Sequence, residues 1–299
     1  MKYYISFLFI FCFKLSFSQV LYLDKVFSVS KKTHTYKTID AKKKLKFDFY
    51  KPVEAIDESP LLIYVHGGGF SGGKRNSKNA VRFAKQMAQR GYAVASVSYR
   101  LTLRNVGFGC TTNYSDKIKA FNSASEDISF AVKYILKNKE KFNISSNKII
   151  LIGASAGAET VLNLVYVHTN KILPENFKFA GVISMAGAVT SVKNITSKNA
   201  IPTQLFHGTN DKLVPYKIAS HHYCSKKSNG YLLLYGSKPI ADKLKKIGKP
   251  FYLYTVKKGD HSWSIRPIIY AKTEILDFLY YDVLKKKNRQ TEIYNTSTN

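Results

Sequence analysis

From about residue 60 onward, short apolar blocks alternate with longer stretches in which apolar residues recur every three or four positions. The blocks fall at 61–65, 93–97, 149–152, 180–185, 203–206 and 251–256. They are strand-length and apolar at nearly every position, the pattern of a strand covered on both faces. Between them run helical stripes. Ala80, Phe83, Ala84, Met87 and Ala88 form one, stopped by Gly91; Ile128, Ala131, Val132, Ile135 and Leu136 form the next. Val161, Leu162, Leu164 and Val165 follow the third block, and Ile268, Ile275, Leu279 and Val283 recur near the C-terminus. Such alternation predicts an α/β fold with a mostly parallel sheet of about eight strands and helices on both faces. Residues 33–37 and 46–50 read as an antiparallel hairpin added to the sheet edge. No internal repeat or flexible linker divides the chain, so one domain over residues 19–287 is expected.

The ends read differently. Lys2, the apolar run 5–13 and Ser16-Phe17-Ser18 have the order of a secretory signal peptide, with cleavage expected after Ser18. The run is too short to span a bilayer, and no later segment is long and apolar enough to do so. A secreted or periplasmic protein is therefore expected. Residues 288–299 are polar and read as a flexible tail. Cys12 lies in the leader. Cys110 and Cys224 remain, and spacing alone leaves a disulfide and two free thiols equally open.

Charge changes this picture less than its size suggests. The 299 residues carry 47 Lys+Arg against 19 Asp+Glu, a formal net charge of +28. Removing the leader takes away Lys2 and Lys14, leaving 28 − 2 = +26. Only seven of the basic residues are Arg, whereas base readout and bidentate phosphate clamps favour Arg. Solvated surface lysine accounts for the excess, and no nucleic-acid partner is expected.

The chemistry concentrates in a few segments. The block 149–152 runs into Gly153-Ala154-Ser155-Ala156-Gly157 and then a helical stripe. G-x-S-x-G between strand and helix forces a sharp turn that lifts the serine hydroxyl above the sheet. A serine needs a base oriented by an acid. Asp211 follows the block 203–206 and His261 follows 251–256. The order Ser155, Asp211, His261 is that of the nucleophile-elbow hydrolases, each residue at a strand's C-terminal end. Asp260 is a rival acid, but it directly precedes His261. The block 61–65 opens into His66-Gly67-Gly68-Gly69-Phe70. Consecutive glycines leave backbone N–H groups free to face a developing oxyanion, so Gly68, Gly69 and Ala156 are the expected donors.

These motifs resemble the α/β-hydrolase superfamily, in its carboxylesterase branch with an H-G-G-G oxyanion loop. That branch includes hormone-sensitive-lipase-like, feruloyl and acetyl-xylan esterases. Asp48-Phe49-Tyr50-Lys51-Pro52 is similar to the branch's edge-strand D-x-Y-x-P, and Tyr99-Arg100-Leu101 to its Y-R-L. The stretch from His207 to Pro215 is closer to the feruloyl and acetyl-xylan members. The elbow departs from many relatives by continuing Gly157-Ala158-Glu159, where they carry a second glycine.

The resulting expectation is a serine carboxylic-ester hydrolase acting through an acyl-enzyme on small acyl or carbohydrate-linked esters. A prolyl-type serine peptidase, or a Lys-rich polyanion-binding protein on a hydrolase scaffold, would use some of the same features. Neither cofactor nor metal is expected, since no His/Cys/Asp/Glu set has ligand spacing. Phe70 and Trp263 flank the motifs and could line an acyl or aryl pocket, although Trp263 equally suits the core. His66 and His207 read as supports, and His221 and His222 as residues on a helix face.

Overall fold

The chain enters its main sheet through an antiparallel hairpin, β1 (Val29–Thr38) and β2 (Lys44–Pro52). The computed structural model describes residues 20–54, 57–169 and 171–296, so the assigned leader lies outside the described residues. Strands β3 (Ser59–Val65), β4 (Ala93–Val97), β5 (Ile144–Ala154), β6 (Gly181–Met185) and β7 (Thr203–Gly208) follow. A small antiparallel pair, β8 (Ile218–Ser220) and β9 (Leu233–Tyr235), stands apart. Strands β10 (Phe251–Val256) and β11 (Gln290–Asn295) complete the sheet. The order across its nine strands is β1-β2-β4-β3-β5-β6-β7-β10-β11. From β4 to β11 every pairing is parallel; only β2 runs against its neighbours.

Alternate residues of the central strands feed two cores. Leu61, Ile63 and Val65 face one, whereas Leu62 and Tyr64 face the other. The first core is closed by α2 (Tyr114–Lys137), α4 (Ala156–Tyr166) and α5 (Ser237–Lys246), with the short α3 (Lys139–Phe142) linking α2 to β5. The second is closed by α1 (Lys78–Ala88) and the C-terminal helices. Ser77 caps α1 by accepting from the Ala80 amide. The stripe Ile268, Ile275, Leu279 and Val283 does face one core. It is nevertheless broken into α6 (Pro267–Tyr270), α7 (Lys272–Asp277) and a π-helical turn over Phe278–Leu284.

The C-terminal segment departs from expectation. Residues 290–295 are not a loose tail but the ninth strand, paired in parallel with β10. Arg289 anchors its start through Asp282 at 2.7 Å and Asp277 at 2.6 Å. An edge strand has one neighbour and solvent elsewhere, so Gln290–Asn295 needs no apolar run and shows none. Among the described residues, no helix is long and apolar enough to cross a membrane.

Candidate active site

At the end of β5 the chain turns sharply into α4, and Ser155 sits on that turn with φ 52° and ψ −121°. A non-glycine residue at positive φ is strained, and here the surroundings hold it. The Ser155 amide donates to Met185 O at 2.9 Å. Gly157 brings the start of α4 against the end of β3, where any Cβ would collide with the Val65 and His66 carbonyl oxygens. The elbow thus depends on a close backbone approach as well as on a turn.

The Ser155 hydroxyl donates to His261 Nε2 at 2.8 Å, and His261 Nδ1 donates to Asp211 Oδ2 at 2.7 Å. The structure therefore brings the three sequence-predicted residues into one chain of hydrogen bonds. Asp211 is fully buried and well supplied with donors. Its Oδ1 accepts from the amides of Leu213 (2.8 Å) and Val214 (3.0 Å), and His207 Nε2 stands 3.4 Å from Oδ2. Burial alone would push this carboxyl up; hydrogen bonds from His207 and His261 outweigh it and hold the group well below the usual carboxylate range. His207 also faces Val214 O at 3.0 Å and Ser237 Oγ at 2.9 Å. It supports the acid itself, whereas the sequence reading gave it only a supporting place at the strand end. Asp260 caps the turn over His261–Ser264 by accepting from the Ser262 amide at 3.0 Å, which removes it as the orienting acid.

The glycine loop lies over the same point. Gly68 has φ 121° and Gly69 φ 58°. A Cβ on Gly68 would strike Gly72 O, so the loop folds only without a side chain there. Among the described residues no backbone acceptor takes the amides of Gly68, Gly69 or Ala156. Tyr99, the first residue of the Y-R-L motif, braces the loop. Its hydroxyl donates to His66 O at 2.8 Å, and its ring stacks on His66 at 4.6 Å. Arg100 serves the scaffold instead, with its Nε 2.7 Å and its amide 2.9 Å from the buried Asp127.

A cavity of about 400 Å³ opens beside Ser155 and His261, within the range of small-molecule sites. Its walls correct the expected pocket residues. Phe70 is fully buried beneath the loop, edge-on to Phe108 and Phe121, and does not line the cavity. Trp263 is buried too, stacked on Tyr254 at 5.8 Å. Phe108, Leu213 and Ile265 supply the apolar wall. His221 and His222 also border the cavity, on a tight turn after β8 rather than on a helix face. Burial is the main cause that lowers both, and His222 is pushed down to about 4. Glu159, one turn into α4, completes the floor. No segment after β8's turn up to Lys249 reaches the cavity; that stretch builds β9 and α5.

Cys110 and Cys224 form a disulfide, which joins the loop bearing Phe108 to the turn bearing His221 and His222. Phe108 and His221 meet at 4.2 Å between ring centroids. The Cys pair was the one sequence signal that these two walls meet. Among the described residues, no group of three His, Cys, Asp or Glu is arranged to hold a metal ion.

Residues 47–189, from β2 past β6, match the BD-FAE family. That match includes the glycine loop and Ser155; Asp211 and His261 lie beyond it. Gut esterase 1 of Caenorhabditis elegans is 32% identical over 120 residues, 40% of this chain and 20% of that protein. Endo-1,4-beta-xylanase B of Butyrivibrio fibrisolvens is 25% identical over 170 residues, 52% of this chain and 27% of that protein. The matched stretches thus span about a fifth to a quarter of these curated relatives. The propionate-bound esterase Est2 of Thermogutta terrifontis superposes with a TM-score of 0.62 at 17% identity, over 86% of this chain and 94% of that one. At that identity the likeness speaks for the fold. Fold, family match and carboxylesterase relatives together make this chain an α/β-hydrolase that is similar to the BD-FAE family over residues 47–189.

Proposed function

We propose that the protein is a serine carboxylic-ester hydrolase working through an acyl-enzyme. One observation carries the reading: Ser155, His261 and Asp211 are joined by bonds of 2.8 and 2.7 Å at the wall of a cavity bordered by the glycine loop. Ser155 Oγ attacks the ester carbonyl while His261 Nε2 takes its proton. The amides of Gly68, Gly69 and Ala156 hold the negative oxygen of the tetrahedral intermediate. His261 then gives the proton to the leaving alcohol. Water, deprotonated by the same imidazole, releases the acid and restores Ser155. Asp211 fixes the ring so that Nδ1 carries a proton and Nε2 is free to accept one.

The cavity suits a small acyl group, and the family match favours short acyl or carbohydrate-linked esters. Purified protein should hydrolyse p-nitrophenyl acetate and take up a fluorophosphonate at Ser155, located by mass spectrometry. A panel of short acyl, long acyl, feruloyl and acetyl-xylan esters sorts the substrate class. Ester turnover retained in folded Ser155→Ala would refute the mechanism.

Function outside the cytoplasm is part of the same proposal. The N-terminal leader and the Cys110–Cys224 pairing both support it, since disulfides persist in oxidising compartments. N-terminal sequencing of protein recovered from culture medium or periplasm tests the cut after Ser18.

A further inference from the structure

Glu159 and His221 are a buried polar pair in the Ser155 cavity that the acyl-transfer steps do not use. Glu159 follows Ser155 by four residues, so α4 carries it on the face beneath the nucleophile. Its side chain is 1% exposed, and its Oε1 has no hydrogen-bond partner among the described residues. His221, also 1% exposed, leaves Nδ1 without a partner. The two groups face each other at 3.6 Å between Oε1 and Nε2, too far for a hydrogen bond. Buried polar atoms left unpaired are costly and rare. Two of them, on two residues lining one cavity, are best explained by a ligand that completes them.

We propose that Glu159 and His221 form a subsite that recognises a hydroxyl group on the ester substrate. The proposal rests on the ester-hydrolase reading. The surroundings select the ligand's chemistry. Lys117 is buried nearby, its Nζ 2.7 Å from Gly230 O and over the Phe108 ring, which disfavours a cationic ligand. The negative charge of Asp211, which reaches Glu159, disfavours an anionic one. A hydroxyl is neutral and both donates and accepts, so it can serve a carboxyl oxygen and an imidazole nitrogen together. Sites built around a substrate hydroxyl reject analogues lacking it far more strongly than apolar pockets discriminate by size.

The test compares matched esters differing by one hydroxyl. On the acyl side, p-nitrophenyl 3-hydroxybutyrate is set against p-nitrophenyl butyrate. On the alcohol side, 2-hydroxyethyl butyrate is set against propyl butyrate. In the wild-type protein, kcat/KM should favour the hydroxylated member of at least one pair by about tenfold or more. The pair that responds assigns the subsite to the acyl or alcohol side. In Glu159→Met that ratio should collapse to within about threefold of unity, with Glu159→Gln, which keeps an acceptor oxygen, between the two. His221→Phe gives the same reading if Glu159→Met fails to fold. Wild-type ratios near unity in both pairs, or a preference that survives in Glu159→Met, overturn the subsite while leaving the hydrolase intact. Failure to hydrolyse any of the four esters overturns the hydrolase reading and the subsite with it.

Discussion

Asp211 divides its two oxygens between different tasks: Oδ2 holds His261 Nδ1 at 2.7 Å, and Oδ1 holds the amides of Leu213 and Val214. The loop is thereby pinned by the same group that orients the base. Two substitutions separate the tasks. Asp211→Asn keeps an oxygen for the amides but puts an amide NH2 in competition for Nδ1. Its kcat on p-nitrophenyl acetate should fall about 10⁴-fold with little change in Tm. Asp211→Ala should lose as much activity and in addition about 1–3 kcal/mol of stability, because the Leu213 amide and the buried Val214 amide lose their acceptor. Equal Tm values for the two variants would mean that the amide bonds carry no stability.

The glycine loop gives a graded pair. At Gly68 both the positive φ and the contact with Gly72 O oppose a side chain. At Gly69 an added Cβ meets the Phe108 Cβ at an ordinary 3.5 Å, so only the backbone preference is violated. Gly68→Ala should displace the loop and lower kcat by about 10²–10³, the usual effect of losing one oxyanion donor. Gly69→Ala should cost about 1 kcal/mol of stability and a smaller loss of rate. Steady-state kinetics beside thermal unfolding of both variants checks the order; a milder Gly68→Ala contradicts the assigned donor geometry.

What was legible in the sequence was local. Ser155, Asp211, His261 and the glycine loop each announce themselves by neighbours within a few residues, and the strand blocks that carry them are apolar on both faces. The pocket was not legible for the converse reason. Phe70 and Trp263 sit beside those motifs, but on which side of the backbone an aromatic packs depends on the whole core. Both turned inward. Phe108, Glu159, His221 and His222 come from three separate segments, joined only by tertiary structure. Glu159 is visible in the sequence as a charge one turn after the nucleophile, yet its burial depends on α4 packing against α2. The strand Gln290–Asn295 was invisible because an edge position asks little of its side chains.

The Cys110–Cys224 bond closes a loop of 114 residues and ties together the two walls that bear Phe108 and His221. Constraining a loop of this size in the unfolded chain is worth about 4–5 kcal/mol in the entropy model, with about 2–5 kcal/mol typical when such a bond is removed. Cys110→Ser and Cys224→Ser should each lower stability by an amount in that range. Activity should also fall below what the folded fraction explains, since both cavity walls loosen. Urea unfolding with and without dithiothreitol, with ester turnover measured at matched folded fraction, tests both statements. Unchanged stability on reduction counts against a structural role for the bond.

Glu159 makes the last prediction, because its effect on stability should run opposite to that of most acidic residues. Burial first, and then the negative charge of Asp211, push its carboxyl well above the ordinary range; Lys117 opposes this. His221 also faces it and His222 borders the same cavity, and burial lowers both. The folded chain therefore keeps a proton on Glu159 that the unfolded chain releases near pH 4.3, the ordinary value for glutamate. Unfolding then releases a proton, and stability falls as pH rises from about 4.3 toward the raised folded value, by at most about 1.4 kcal/mol per pH unit. Glu159→Gln removes this term. Its Tm relative to wild type should be least favourable near pH 4 and should improve steadily toward pH 8. Asp211, whose carboxyl is held low, contributes the opposite slope below its ordinary range, but equally in both proteins. A Tm difference that is flat or shrinks with rising pH would mean that Glu159 is ionised when folded and stabilised by Lys117.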